Sequence, residues 1–247
     1  MGWGALFESV IRYGAINQLE IRLCSLVQGA HEAQGTTIII DVFRAFTTAA
    51  IAFDHGAAAI TLVAEPEEAL ELHRRGVGDY LMGEVAGKRP DGFDFGNSPY
   101  EISQVDLAGK TLIQSTRAGT VGVAAAVNAS RIYLSSFVVA QATVDAIRSD
   151  GPELVSIIAM GDEGAVRTDE DEHCGMYLRN LLDGRKPDFD AVKTLILKGG
   201  ATQKFFDPDQ TQYHPEDVTL ALEADRYSFA MKISREDGLL VARRYPG

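Results

Sequence analysis

Cysteine is nearly absent. Cys24 and Cys174 are the only two in 247 residues, too few for a disulfide framework, and a reduced, cytoplasmic protein is the simpler expectation. Basic residues are in deficit, with 23 Lys+Arg against 35 Asp+Glu and a formal net charge of −12. That balance argues against nucleic acid or an anionic membrane as partner, since both need basic patches. An anionic ligand would have to be captured by a few local bases against the field of the whole chain. No charge-free apolar run approaches membrane-spanning length. The opening "MGWGALFESVIRYGAINQLEIRL" lacks a basic start and an unbroken apolar stretch, so no signal peptide is expected. With no repeat, low-complexity tract or linker, residues 1–247 read as one domain.

What is present is alternation. "TIIIDVF" (37–43), "AITLVA" (59–64), "DYLMGE" (79–84), "KTLIQS" (110–115), "RIYLSS" (131–136) and "ELVSIIAM" (153–160) read as buried strands. Helical patterns stand between them at 47–57, 65–76, 120–130 and 138–151. The second has Pro66 in its first turn, acids early, Arg74 and Arg75 late, and a closing glycine, which complements its own dipole. After residue 164 the pattern is mostly helical, then 229–244 reads as a hairpin turning at Glu236-Asp237-Gly238. The spacing predicts an α/β fold, a three-layer α/β/α arrangement around a mainly parallel or mixed sheet. Residues 85–109 interrupt it with a long loop rich in Gly, Pro, Asp and Asn, a length that is usually functional.

Ligands of parallel α/β sheets bind beyond the carboxyl ends of the strands. The residues there are Asp41 and Arg44, Glu84, then Ser115, Thr116 and Arg117, then Asp162 and Glu163. Thr47 and Asp162 also suit helix N-caps, but acids, hydroxyls and arginines recurring at several strand ends suit a metal-assisted reaction on an anion. Carboxylate ligands favour magnesium over zinc. Gly119 permits a tight turn that offers backbone N–H groups to an anion. The acidic run before the apolar helix at 174–182 makes Glu170 and Asp171 candidate metal ligands, the alternative being dipole stabilisation. Cys174 and Arg179 stand one residue too close for a cysteine-phosphatase loop, and the five histidines have no ligand spacing.

Two families can be compared on these stretches. Asp41, Ser115 and Gly161-Asp162 mimic a haloacid dehalogenase-like phosphatase, but Phe43 stands where that family has its second aspartate, and no lysine lies between Lys110 and Lys186. The runs "IDVFRAFTT" (40–48), "GE" (83–84), "DGFDFGNSPYE" (91–101), "TRAGT" (116–120) and "EDEHCG" (170–175), in this order, resemble the 2-phosphosulfolactate phosphatase family. The resemblance implies a Mg2+-dependent phosphatase that converts 2-phospho-3-sulfolactate to 3-sulfolactate, a step toward coenzyme M. It places Asp41, Arg44, Glu84, Asn97, Ser98, Glu101, Gly119, Thr120, Glu170 and Asp171 at the family's patterned positions.

Together the two readings make Asp41 either nucleophile or magnesium ligand, with Glu84, Glu170 and Asp171 completing the metal site. They leave Arg44 free to fork onto an anion. Asn97, Ser98, Thr116, Arg117, Gly119 and Thr120 are expected around a small anionic phosphomonoester. Two departures bear on the substrate. Arg117-Ala118 stands where the family commonly reads Thr-Asn, and Phe43 and Phe46 replace smaller residues. A related phosphorylated hydroxy acid, a non-catalytic small-anion-binding protein and a homodimer all remain open at this point.

Overall fold

The computed structural model describes residues 19–246. The opening stretch in which no signal peptide is expected therefore lies, through residue 18, outside the described residues. The order begins β1 (Glu20–Ser25), α1 (Leu26–Glu32), β2 (Gly35–Ile40), α2 (Ala45–Asp54), β3 (Ala59–Val63), α3 (Pro66–Arg74), β4 (Tyr80–Gly83), α4 (Pro99–Ile102) and β5 (Thr111–Ser115). It continues α5 (Gly119–Ala125), β6 (Ala129–Ser135), α6 (Ala140–Asp150), β7 (Leu154–Ala159), α7 (Asp169–Leu182), α8 (Phe189–Lys198), α9 (Pro215–Ala221), β8 (Phe229–Glu236) and β9 (Leu239–Pro246).

Among the described residues nine strands form one sheet, in the order β1-β7-β2-β6-β8-β9-β3-β5-β4. β1, β7, β2 and β6 pair in parallel, and so do β3, β5 and β4. The β8–β9 hairpin separates these blocks and is antiparallel to both neighbours. The sheet is therefore mixed, and the two parallel blocks run in opposite senses along the ladder.

Successive side chains of a strand point to opposite faces, and the burial pattern shows both faces covered. Ile39 packs with Phe46, Ala49 and Phe53 of α2, whereas Ile38 and Ile40 pack with Val144 and Ile147 of α6 and Leu178 of α7. β6 and β7 divide in the same way, Leu134 and Ile158 to one side, Tyr133 and Ile157 to the other. This is the three-layer α/β/α architecture expected from the alternation. Each fully buried isoleucine stabilises by about 1.5–3 kcal/mol, so Ile38, Ile39 and Ile40 fix β2 firmly and deliver Asp41 to its carboxyl end.

Local boundaries differ from the sequence reading. β2 stops at Ile40 and α2 starts at Ala45. Thr47 is no cap, because its hydroxyl donates to Val42 O at 2.8 Å inside the first turn. Asp162 caps nothing either; it closes a tight turn with Val166 through reciprocal backbone bonds of 2.8 and 3.1 Å. Residues 85–109 are an ordered segment containing α4. Asp94 Oδ2 accepts from Leu81 N at 2.8 Å, and Phe93 is buried beside Leu81 and Ile113. β1 and α1 were not anticipated.

Candidate active site

The carboxyl ends of β2, β4 and β5 meet, although β2 belongs to the opposite block. Gly119 N donates to Asp41 Oδ2 at 2.9 Å and Arg117 N donates to Glu84 Oε1 at 2.8 Å. The short loop entering α5 thus holds one carboxylate from each block. Asp41 Oδ1 also accepts from Ala45 N at 2.9 Å, and Glu84 Oε2 from Gly87 N at 2.7 Å. A Cβ at position 119 would stand 2.9 Å from Asp41 Oδ2 and 2.9 Å from Phe46 Cζ. Glycine is what lets the loop approach. Thr116 and Thr120 close the same turn on themselves, Thr116 N donating to Thr120 Oγ1 at 2.9 Å and Thr120 Oγ1 donating to Thr116 O at 2.8 Å.

A cavity of about 270 Å³ opens between these ends. Four acids reach it, Asp41, Glu84, Asp162 and Glu163, together with Asn97, Ala118 and Lys204. Burial pushes the Asp41 carboxyl up from 3.8 to about 6 against the pull of the Ala45 and Gly119 N–H groups, and the Glu84 charge adds to the rise. Asn97 is 5 % exposed and its Oδ1 has no partner. Lys204 Nζ stands 3.5 Å from Asp162 Oδ1 and 5.1 Å from the centroid of the Tyr213 ring, and among the described residues no closer acid holds it.

Arg44 lines the cavity, and three of its five N–H donors are already engaged by the protein. Nη1 donates to Asp217 Oδ2 at 3.0 Å and to Gln212 O at 2.9 Å, Nη2 donates to Gly87 O at 3.0 Å, and the group lies 4.7 Å from the Tyr213 ring centroid. It is a buried strut between α2, the 84–88 turn and α9. Ser98 is likewise committed: its Oγ donates to Asp217 Oδ1 at 2.6 Å and caps α4 by accepting from Glu101 N. Arg117 contributes its backbone, while its side chain turns outward to Glu65 Oε2 at 3.2 Å.

The four expected metal ligands are not gathered into one set. Asp171 accepts from Val42 N at 2.7 Å and from Gly161 N at 2.8 Å, which latches the residue after Asp41 to the residue before Asp162. Burial, reinforced by the Asp41 charge, holds the Asp171 carboxyl well above its ordinary range. Glu170 is 4 % exposed, does not line the cavity and is also pushed up by burial, then by Asp171. Among the described residues no three His, Cys, Asp or Glu side chains are grouped closely enough to enclose an ion. A hard cation still fits the donor chemistry of Asp41 and Glu84, since Mg2+ is ordinarily held by one or two carboxylates plus water and substrate phosphate.

Three residues escaped sequence reasoning: Lys204, Tyr213 and Asp217. Lys204 sits in a 3-10 turn at Gln203–Phe206, and nothing local marks it. The Ser98 cap was legible, because Ser98-Pro99-Tyr100-Glu101 has the Ser-x-x-Glu spacing of a helix start with proline at the first position. Cys174 is wholly buried with its thiol pushed up by burial, which removes it as a nucleophile. Among the described residues no helix is long and apolar enough to cross a membrane.

The comparisons agree with one another. The family model described as 2-phosphosulpholactate phosphatase matches residues 24–206. A Bacillus subtilis (strain 168) protein called "Probable 2-phosphosulfolactate phosphatase" is 30% identical over 220 residues, covering 87% of this chain and 94% of its own. A Thermus thermophilus protein of the same description is 35% identical over 177 residues, covering 70% and 74%. The matched segment contains Asp41, Glu84, Asn97, Gly119, Asp171 and Lys204, so the chain belongs to the 2-phosphosulpholactate phosphatase family.

Proposed function

We propose that this chain is a phosphatase that releases phosphate from 2-phospho-3-sulfolactate or a closely related phosphorylated hydroxy acid, with Mg2+ as cofactor. The observation that carries the reading is the buried Asp41 carboxylate. Two backbone N–H groups fix it at a strand end, facing a cavity that also presents Lys204 and Asn97. Hydrolysis forms a bond from water oxygen to phosphorus and breaks the bond from phosphorus to the hydroxy-acid oxygen, so catalysis is mainly positioning and charge stabilisation.

Each Asp41 oxygen spends one lone pair on an N–H, which orients the carboxylate and leaves the remaining lone pairs for what enters the cavity. Whether it attacks phosphorus or holds the cation, Asp41 works in its ionised form. Asp41 and Glu84 would hold Mg2+, which supplies charge neutralisation for the phosphoryl oxygens. Lys204 contributes a positive charge to phosphate, and the Asn97 amide a hydrogen bond. Arg44 is a positioning residue that sets the 84–88 turn and hence Glu84. Phosphate release from a panel of phosphorylated hydroxy acids, with Mg2+ and with chelator, tests the reading. Absence of release from every member in the presence of Mg2+ would refute it.

A further inference from the structure

A second cavity of about 280 Å³ adjoins the first, and Arg44, Gly87 and Asn97 face both. The two compartments differ in charge. The first gathers four acids, whereas the second has Arg89 opposite a single acid, Glu101. Glu101 Oε1 is shared with His214 Nε2 at 3.0 Å.

Among the described residues lining this cleft, Arg89 has more guanidinium donors to spare than Arg44. Its Nη1 donates to Asp94 O at 3.0 Å, and its other nitrogens meet no acceptor among the described residues. Arg44, by contrast, is committed to Asp217, Gly87 and Gln212. Gly96 lies between the two side chains, a Cβ built there coming 3.3 Å from Glu101 Oε2 and 3.8 Å from Arg89 Cβ. At the shared wall the buried Asn97 amide has an unpartnered Oδ1.

We propose that the second compartment receives an acidic group of the substrate that is not hydrolysed, a carboxylate or sulfonate, and that Arg89 is its counter-charge. This rests on the reading that the first compartment takes the phosphate. A net charge of −12 gives an anion no general attraction. A guanidinium placed beside the acid-lined cavity supplies it locally, in a fork that matches an oxyanion.

The test uses Arg89→Gln and Glu101→Gln in the full chain. Arg89→Gln should raise KM for 2-phospho-3-sulfolactate about ten- to a hundred-fold while leaving kcat within about three-fold. KM for glycerol 2-phosphate, which carries no second acid, should stay unchanged. The same loss on 2-phospholactate assigns the compartment to the carboxylate; loss on 2-phospho-3-sulfolactate alone assigns it to the sulfonate. Calorimetric binding of 3-sulfolactate, which needs no turnover, should weaken by a similar factor in Arg89→Gln and tighten in Glu101→Gln. Unchanged KM and unchanged 3-sulfolactate affinity in Arg89→Gln overturn the proposal. If the wild type releases no phosphate yet binds 3-sulfolactate through Arg89, the phosphatase reading falls and the compartment stands. Wild-type turnover without Arg89 dependence keeps the phosphatase and removes the compartment.

Discussion

Asp41→Asn should abolish phosphate release and also change how stability follows pH. The folded-state carboxyl titrates near 6 against an ordinary 3.8, with burial as the main cause. Between those values the folded protein keeps a proton that the unfolded chain has lost, so stability falls as pH rises through this window. Above it the ionised, buried carboxylate costs about 3 kcal/mol, at about 1.4 kcal/mol per tenfold change in proton affinity. Asparagine cannot ionise and escapes that cost.

It brings a cost of its own. Both Asp41 oxygens accept from backbone N–H groups, so one end of the amide must face the donor of Ala45 or Gly119. A buried N–H left unpaired costs about 1–3 kcal/mol at any pH. The variant should therefore be the less stable protein at pH 4, and equal to or more stable than wild type at pH 8. The difference should move by about 2.5 kcal/mol in its favour between pH 4 and pH 8. Asp171, whose carboxyl is raised in part by the Asp41 charge, adds to the movement with the same sign. Urea unfolding of both proteins at pH 4, 6 and 8, with chelator present, measures it. A difference constant to within about 0.5 kcal/mol would refute the reasoning.

Arg44→Met should destabilise the protein by about 3–5 kcal/mol in chemical unfolding, because it leaves Asp217 charged and buried; Arg44→Met with Asp217→Leu should recover part of that loss. Lys204→Met should lower kcat/KM about ten- to a hundred-fold through one lost charge-assisted contact, with a stability change under about 1 kcal/mol. Ala118→Asn should shift selectivity among phosphorylated hydroxy acids, since position 118 lines the cavity, whereas Arg117→Thr should not, since that side chain pairs with Glu65 outside it. Competition assays with mixed substrates separate the two.

How much was legible depends on whether the determinants were local. α3 follows its sequence signals, running Pro66–Arg74, because a first-turn proline, early acids and late bases all act within the helix. β1 gives no such signal. Among the described residues "EIRLCS" is an edge strand paired only with β7, so its burial is partial and its apolar pattern weak. The sheet order was unreadable, since the hairpin wedged between the parallel blocks comes from the end of the chain.

The site divides by the same rule. Asp41, Glu84 and Gly119 stand at strand and helix ends that periodicity locates, and they meet. Arg44 looked free because the acid that claims it lies 173 residues further on. Lys204 was invisible because a 3-10 turn with no periodic neighbours carries it to the cavity. Glu170 and Asp171 were recognised as an acidic helix start, but only the fold shows that Asp171 latches two loops instead of joining a ligand set.

The most direct test of the central claim is multiple-turnover phosphate release from 2-phospho-3-sulfolactate, measured for wild type and Asp41→Asn with Mg2+ and with chelator. The wild type should turn over with Mg2+ and stop with chelator. A folded Asp41→Asn variant should be slower by at least about 100-fold, as expected for loss of a group that stabilises charge at the reaction centre. Near wild-type turnover in that folded variant, or turnover indifferent to chelator, would contradict the account.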